Sequence, residues 1–148
     1  MAGLMLRRFS AVDFPDWAAL RHTLWPSTAQ GELEAELPAM LAGGGLAGFG
    51  VFDGRYLVGF AEVSERPYGD GCDTAPVAWL EGIYVRAAYR RHGIARQLVT
   101  TVEEWARARG LSELGSDAEL DNVVSRLGHA RWGFEETERV VRFRKVLR

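Results

Sequence analysis

The sequence contains few of the residues that indicate a disulfide-bonded, metal-binding or nucleic-acid-binding protein. Cys72 is the single cysteine among 148 residues, which excludes an internal disulfide and a CxxC-type metal site. Lysine occurs only at Lys145, and the formal net charge is −2. Nucleic-acid-binding domains usually carry an excess of basic residues. We therefore expect neither a metal ion nor a nucleic acid as a partner.

Long apolar runs are also missing. The first residues, MAGLMLRRFSAVDF, lack the sustained apolar segment of a signal peptide. No run approaches the roughly 20 residues that a membrane-spanning helix needs. Apolar residues make up 47% of the chain and charged residues 26%, which is an ordinary globular mixture. A chain of this length can bury its own core as one domain. We expect a single cytoplasmic domain over residues 1–148 that does not contact a membrane.

Periodicity and turn residues predict a mixed α/β fold. Two apolar runs flank Asp53-Gly54, which is a strong hairpin signal. The run 77–85 is almost entirely apolar, as in a central strand that is covered on both faces. Apolar residues spaced by three and four predict an amphipathic helix over 93–109. The other predicted elements are strands at 4–9, 111–116 and 134–147, helices at 13–25, 32–41 and 121–130, and a turn-rich loop at 67–76.

The segment that follows the central strand has the features of a phosphate-binding loop. It reads RRHGIAR over 90–96, where a strand ends near Val85 and a helix begins near Gly93. Small residues let the backbone approach a ligand, and N–H groups at a helix N-terminus bind phosphate well. The arginines would add charge for a pyrophosphate. A solvated turn followed by a helix cap would explain the same residues.

The pattern Arg90-x-x-Gly93-x-Ala95 resembles the pyrophosphate loop of the GCN5-related N-acetyltransferases. The segments that follow match the same family in order: a short strand, a helix carrying Asn122, and a terminal motif at 129–134 that ends in Gly-Phe. The resemblance implies a mixed, mostly antiparallel sheet with splayed central parallel strands and flanking helices. It also implies acetyl-CoA as the co-substrate, with no metal.

The resemblance further implies how acetyl-CoA binds. The backbones of Ile83 and Val85 would pair with the pantetheine like an added strand, and Asn122 would contact it from the opposite side. The loop would hold the pyrophosphate through Arg90, Arg91, His92, Gly93, Ile94, Ala95 and Arg96.

Two carboxylates are candidates for the acceptor site. Glu81 interrupts the apolar strand AWLEGIYV, where a carboxylate is costly unless it is solvated or functional. It could act as a general base, directly or through water, or anchor the reacting ammonium; the alternative is a structural salt bridge to an arginine. Asp117 follows a predicted strand at its C-terminal end, where clefts of α/β sheets lie. It could bind a second ammonium or cap the next helix.

The leaving thiolate also needs a proton. His129 stands where the family usually has the tyrosine that is the presumed acid. Histidine can serve this role, although it can also be a core residue, and Tyr84 or an ordered water could serve instead. Cys72 lies in a loop without a histidine partner, so we do not expect it to act as a nucleophile.

A narrower resemblance covers most of the chain. Segments such as LRHTLWP, LEGI and GFEETER are similar to the aminoglycoside 6′-N-acetyltransferases of enteric and Acinetobacter bacteria. In that group Trp25, Tyr68, Glu81 and Asp117 would correspond to acceptor-site positions. The group forms homodimers, and Glu136 could reach the partner's site. The implied activity is direct acetyl transfer to the 6′-amine of a polycationic aminoglycoside, which confers antibiotic resistance.

Two other functions remain compatible with these motifs. One is an acetyltransferase whose acceptor is a polyamine, an amino sugar or a protein amine. The other is an acyl-CoA sensor without catalysis, against which the intact Glu81 and Asp117 argue. The apolar alternation of residues 134–147 also predicts that this segment lies near a dimer interface, because an exposed strand edge is usually covered.

Overall fold

The computed structural model describes residues 3–148, which form two compact units that meet between Ser116 and Asp117 in the sequence. The first unit contains a five-stranded sheet and four α-helices, and the second contains one α-helix. The prediction of a single domain stays a prediction. In chain order the elements are β1 (Leu4–Arg8), α1 (Phe14–Leu24), α2 (Gln30–Ala35), α3 (Leu37–Leu41), β2 (Leu46–Asp53), β3 (Tyr56–Arg66), β4 (Val77–Val85), α4 (Ile94–Ala108), β5 (Leu114–Gly115) and α5 (Val123–Arg131).

The sheet follows the chain, in the order β1-β2-β3-β4-β5. The first four strands are antiparallel, and β5 is parallel to β4. The predicted hairpin is confirmed: β2 and β3 pair around Asp53-Gly54, and Gly54 has φ +60°. Left-handed backbone of this kind strongly favours glycine. The mixed α/β class predicted from the sequence is therefore confirmed.

The core of the first unit forms where α1 packs on the sheet. Trp17, Leu20 and Phe60 are almost completely buried. The Trp17 ring lies directly on β2, where a Cβ at Gly48 would come within 2.4 Å of it. Glycine is therefore required at this position in β2. Helix α4 buries an apolar stripe that includes Leu98 and Val102, which confirms the predicted amphipathic helix.

Some predicted boundaries of the first unit need correction. The helix predicted over 32–41 is two short helices, because the second has Pro38 in its first turn and proline lacks the N–H that a continuous helix would need. Asp13 precedes α1 without capping it, since its carboxylate binds Arg7 and Ser10. The strand predicted over 111–116 is shortened to Leu114–Gly115.

The second unit confirms one predicted element and contradicts another. Helix α5 lies close to the predicted range of 121–130. The strand predicted over 134–147 is wrong, because residues 134–148 have no regular secondary structure. Alternation alone cannot form a strand, since its backbone groups need a neighbouring strand as partner. Across residues 3–148, no helix is both long and apolar enough to cross a membrane.

Candidate active site

A β-bulge places Glu81 at the centre of the first unit's site. In the register of β3 and β4, Glu62 is opposite Gly82 and Val63 is opposite Leu80, so Glu81 is the extra residue. Bulges redirect a side chain and are common next to active sites. The sequence shows that Glu81 interrupts an apolar strand, whereas the bulge depends on the pairing register.

Both carboxylate oxygens of Glu81 accept hydrogen bonds from β3. The Ser64 hydroxyl donates to Oε2 at 2.5 Å, and Arg66 donates Nε to Oε2 at 2.9 Å and one terminal nitrogen to Oε1 at 2.7 Å. The side chain of Glu81 is 32% exposed. The salt bridge raised as the alternative role for Glu81 is therefore present, and it leaves the carboxylate accessible to solvent.

Glu81 lines an open cavity of about 550 Å³ in the first unit. Trp25 lies beside it: its ring sits so close to β4 that a Cβ at Gly82 would approach it to 2.6 Å. Three carboxylates and one guanidinium line the cavity, and the Arg66 guanidinium binds one of these carboxylates, so the balance is one negative charge. Such a lining suits a cation, because charges attract more strongly in a partly dry cleft than in water. The residues that line it are Arg21, Trp25, Thr28, Leu33, Glu36, Met40, Leu46, Glu62, Val63, Ser64 and Glu81.

A buried ion-pair network forms the inner wall of the cavity. Glu62 is 2% exposed; it accepts the indole N–H of Trp17 at 2.8 Å and two hydrogen bonds from Arg21 at 2.7 and 2.9 Å. Arg21 also binds Glu36. Burial alone would lower the pKa of Arg21, but the hydrogen bonds and charges of Glu62 and Glu36 outweigh it and raise the pKa. Arg21 therefore stays cationic, and the network ties α1 to β3.

The edge of β4 is suited to pair with an extended ligand. The Arg86 amide donates to the Val58 carbonyl, so alternate residues at 86, 84 and 82 direct their backbone groups toward β3. Ile83 and Val85 direct theirs to the opposite side. There, β5 pairs with β4 only at Ala78 and Trp79. The structure thus gives the two predicted pantetheine-binding residues the required backbone orientation.

The predicted pyrophosphate loop opens α4. Gly93 is the N-cap residue with φ +77°, and a Cβ there would meet no atom within 4 Å. Arg91 is also left-handed, with φ +66°. No side chain caps α4, and its first turn contains no acidic residue. Arg96 lies in this first turn. These features fit an anion, since helix N-termini attract negative charge.

The remaining loop residues are distributed around this helix start. Arg90 donates Nε to the Val85 carbonyl at 2.8 Å, which ties the loop to the end of β4. His92 is exposed, Ala95 is half-buried and Ile94 is buried. The side chain of Ile94 therefore packs inward, so any contact of this residue with a ligand would involve its backbone.

The second unit holds four predicted site residues, namely Asp117, Asn122, His129 and Glu136. Asn122 is the N-cap of α5, and its side-chain oxygen accepts the Ser125 amide at 3.1 Å. This excludes Asp117 as the helix cap, so the alternative role considered for Asp117 is wrong. The same bond occupies the Asn122 oxygen and leaves its amide group for any contact with pantetheine. Asp117 itself is exposed.

His129 is oriented within the second unit by its own helix. Nδ1 lies 2.7 Å from the Ser125 carbonyl, and the ring packs against Trp132 and Phe134. A carbonyl accepts hydrogen bonds only, so Nδ1 carries the proton. His129 can then donate from Nε2 only as the imidazolium cation. The acid role of His129 stays a prediction with this constraint.

The other predicted residues lie at the surface. Tyr68 is 72% exposed in the loop after β3. Glu136 forms an ion pair with Arg139. Cys72 is half-buried, and burial, followed by the charges of Glu113 and Asp73, raises the pKa of its thiol. Cys72 is therefore a poor nucleophile at neutral pH, in keeping with direct transfer.

Sequence reasoning missed Glu62, Arg21, Ser64 and Arg66. A signal for one of them was available, because Glu62 interrupts the apolar strand YLVGFAEV as Glu81 interrupts β4. Ser64 and Arg66 follow it at intervals of two, which places all three residues on the same face of β3. Arg21 lies 41 residues from Glu62, and no local pattern links them.

A loop suited to an anion, an open strand edge and an acidic cavity are features that an acetyl-CoA-dependent transferase with a cationic acceptor requires. The acetyltransferase (GNAT) family model matches residues 15–134, and the chain belongs to this family. The aminoglycoside N(6′)-acetyltransferase type 1 of Serratia marcescens is 46% identical over 134 residues, covering 88% of this chain and 91% of the relative. The protein of the same name from Acinetobacter baumannii is 43% identical, covering 92% and 94%.

Solved structures agree with these relatives. AAC(6′)-Iy in complex with the bisubstrate analog CoA-S-monomethyl-acetylneamine superimposes with a TM-score of 0.91 at 36% identity, covering 97% of this chain and 99% of that one. The aminoglycoside 6′-N-acetyltransferase AAC(6′)-Ih from Acinetobacter baumannii has a TM-score of 0.90 at 39% identity, covering 98% and 99%. The predicted family and fold are therefore confirmed.

Proposed function

We propose that this protein transfers the acetyl group of acetyl-CoA to the 6′-amine of aminoglycosides, directly and within a ternary complex, and so confers resistance. The observation that carries the proposal is the position of Glu81. It stands at the bulge of β4, lines the acidic cavity, and lies two residues before Ile83, where the strand edge opens. The similarity to enzymes named for this reaction supports the choice of acceptor.

The first unit supplies the groups that would hold acetyl-CoA. The N-terminus of α4, with Gly93 and the arginines at 90, 91 and 96, would bind the pyrophosphate, and the backbones of Ile83 and Val85 would pair with the pantetheine. When bound, acetyl-CoA supplies an activated thioester. The donor set fits such a molecule, since it combines an anion site with a strand edge that β5 pairs with only at Ala78 and Trp79.

The acceptor arrives as a polycation, and the cavity would bind it through charge. The Trp25 ring offers a wall for a sugar ring, while Glu81 would contact the reacting nitrogen and Asp117 a second ammonium. Carboxylates are weak bases, so Glu81 would work through water or position an amine that loses its proton on desolvation. His129, as imidazolium, would then protonate the departing thiolate. Tyr68 would lie at the rim of the acceptor site.

The protein is proposed to act in the cytoplasm as a homodimer. Residues 134–148 expose apolar side chains, among them Val141 at 78% and Phe143 at 90%. A partner chain would cover them and would bring Glu136 to the partner's acceptor site. Light scattering should give twice the monomer mass of 16.4 kDa at micromolar concentration. A monomer mass would contradict the dimer without affecting the proposed reaction.

An acetylation assay tests the acceptor. The purified protein is incubated with acetyl-CoA and a panel of aminoglycosides and polyamines, and the position of the new amide is mapped by NMR. The expected result is turnover of kanamycin with acetylation at the 6′-nitrogen. If only a polyamine, an amino sugar or a protein amine is acetylated, the proposed acceptor is wrong and that amine is the acceptor instead. Binding of acetyl-CoA without turnover of any amine would indicate a sensor.

A further inference from the structure

We propose that Ser64 and Arg66 are positioning residues that hold the Glu81 carboxylate for the acceptor's ammonium. The inference rests on the proposed function, because it assigns Glu81 to the reacting nitrogen. It concerns two residues of β3 that would act through Glu81.

The geometry leaves one defined place for a cation on Glu81. Oε2 accepts both the Ser64 hydroxyl and Arg66 Nε, which uses its two lone pairs. Oε1 accepts one donor from Arg66 and keeps one lone pair. An ammonium therefore meets Oε1, at a position set by the fork of the guanidinium. Without the fork, the carboxylate could rotate and offer either oxygen.

The two donors are themselves held in place. Ser64 is 7% exposed and lies in the cavity lining. The Arg66 guanidinium lies 4.5 Å from the centre of the Trp79 ring, which fixes its plane. A planar, stacked guanidinium gives a carboxylate both distance and direction, whereas an ammonium group gives only charge. Arg66 is therefore suited to fix the orientation of Glu81.

The exposure of Arg66 and Glu81 distinguishes them from an ion pair whose role is purely structural. The side chains of Arg66 and Glu81 are 41% and 32% exposed, so their attraction is screened by water. Exposed ion pairs contribute at most about 1 kcal/mol to stability. A positioning role predicts a loss of activity that is much larger than the loss of stability.

The chain contains a matched control for Arg66. Arg109 pairs with Glu65 of β3 at 3.0 Å, with exposures of 37% and 31%, and stacks on the Trp105 ring at 5.0 Å. The arrangement has similar burial and ring stacking, but Arg109 donates one hydrogen bond to Glu65, whereas Arg66 donates two to Glu81. Arg109→Gln should therefore change acceptor kinetics by no more than about twofold.

The test is a double-mutant cycle between Arg66 and Glu81. Arg66→Gln should lower kcat/KM for the acceptor by about tenfold or more while the KM for acetyl-CoA is retained. Arg66→Lys should recover part of the loss. If Arg66 acts through Glu81, the double variant Arg66→Gln/Glu81→Gln should be no slower than Glu81→Gln alone. Ser64→Ala should give a smaller loss in the same cycle.

Two results would overturn the assignment. One is wild-type kinetics for Arg66→Gln and Ser64→Ala; the other is a double variant whose loss is the product of the single losses. The cycle is run with whichever amine the wild type acetylates. A polyamine in that role would contradict the proposed acceptor, and the cycle would still decide the roles of Ser64 and Arg66. A wild type that acetylates no amine would overturn both proposals.

Discussion

Two glutamates of neighbouring strands make nearly the same bonds in the lining of one cavity. Glu62 and Glu81 each accept a two-pronged arginine, from Arg21 and Arg66 respectively. Glu62 is 2% exposed, whereas the Glu81 side chain is 32% exposed. Burial therefore separates their roles: the inner pair connects α1 to the sheet, and the outer pair leaves a carboxylate open to solvent, where we propose that the acceptor binds.

The largest expected effect is the loss of stability when the buried glutamate, Glu62, is replaced. Glu62→Gln keeps the shape of the side chain but leaves Arg21 in the core with only Glu36 as a carboxylate partner. Removing one member of a buried pair costs about 3–5 kcal/mol. Urea unfolding of Glu62→Gln should show a loss of this size, and Glu81→Gln should lose less than about 1 kcal/mol. Equal losses of stability in the two variants would contradict the distinction between the buried and the exposed glutamate.

A second variant tests the cofactor loop independently of the acceptor cavity. Gly93→Val should abolish acetyl-CoA binding, because the new side chain enters the space of the phosphates and φ +77° strains the loop. Gly110→Val is the matched control: Gly110 has the same φ at the other end of α4, and a Cβ there would also meet no atom within 4 Å. Calorimetry should show lost affinity only for Gly93→Val; unchanged affinity in a folded variant would refute the assignment of the loop.

A third arginine–carboxylate pair tests, with a smaller expected effect, whether burial makes an ion pair important for stability. Arg7 binds Asp13, whose side chain is 7% exposed, and this hydrogen bond, against the opposing effect of burial, lowers the pKa of Asp13. A lowered folded-state pKa stabilises the protein above the unfolded pKa, and this contribution disappears as the pH falls through the folded value. Asp13→Asn should therefore cost about 1–2 kcal/mol at pH 7.

The pH dependence of that loss is its check. Unfolding measured from pH 7 down to about pH 2 should show the difference between wild type and Asp13→Asn shrinking toward zero below about pH 4. Asp16→Asn, an exposed change in the first turn of α1, serves as the control. A difference that is constant with pH would mean that the charge of Asp13 is not responsible.

Local signals in the sequence predicted most elements of the fold. The Asp53-Gly54 hairpin, the strand over 77–85 and the helix over 93–109 each follow from spacing or turn chemistry within a short window. The helix break near Pro38 could also be predicted, because proline is tolerated in the first turn of a helix but not in its interior. The strand predicted over 134–147 failed for a different reason: alternation describes a strand that has a partner, and the single chain offers none to that segment.

The site was less accessible to sequence reasoning than the fold. Glu81 and the loop at Gly93 could be predicted, because a carboxylate in an apolar strand and a glycine at a helix start are local signals. Ser64, Arg66 and Glu62 depend on the register between β3 and β4, and Arg21 reaches Glu62 only through the packing of α1. Contacts of this kind connect distant positions, so one sequence contains no direct record of them.

The most direct test of the account compares acceptor kinetics of three carboxamide variants with kanamycin. Glu81→Gln should raise the acceptor KM or lower kcat and leave acetyl-CoA binding intact, Asp117→Asn should mainly raise the acceptor KM, and Glu65→Gln, on the neighbouring strand, should match the wild type. If Glu81→Gln and Asp117→Asn both acetylate kanamycin at the wild-type rate, the assignment of the acceptor site is wrong.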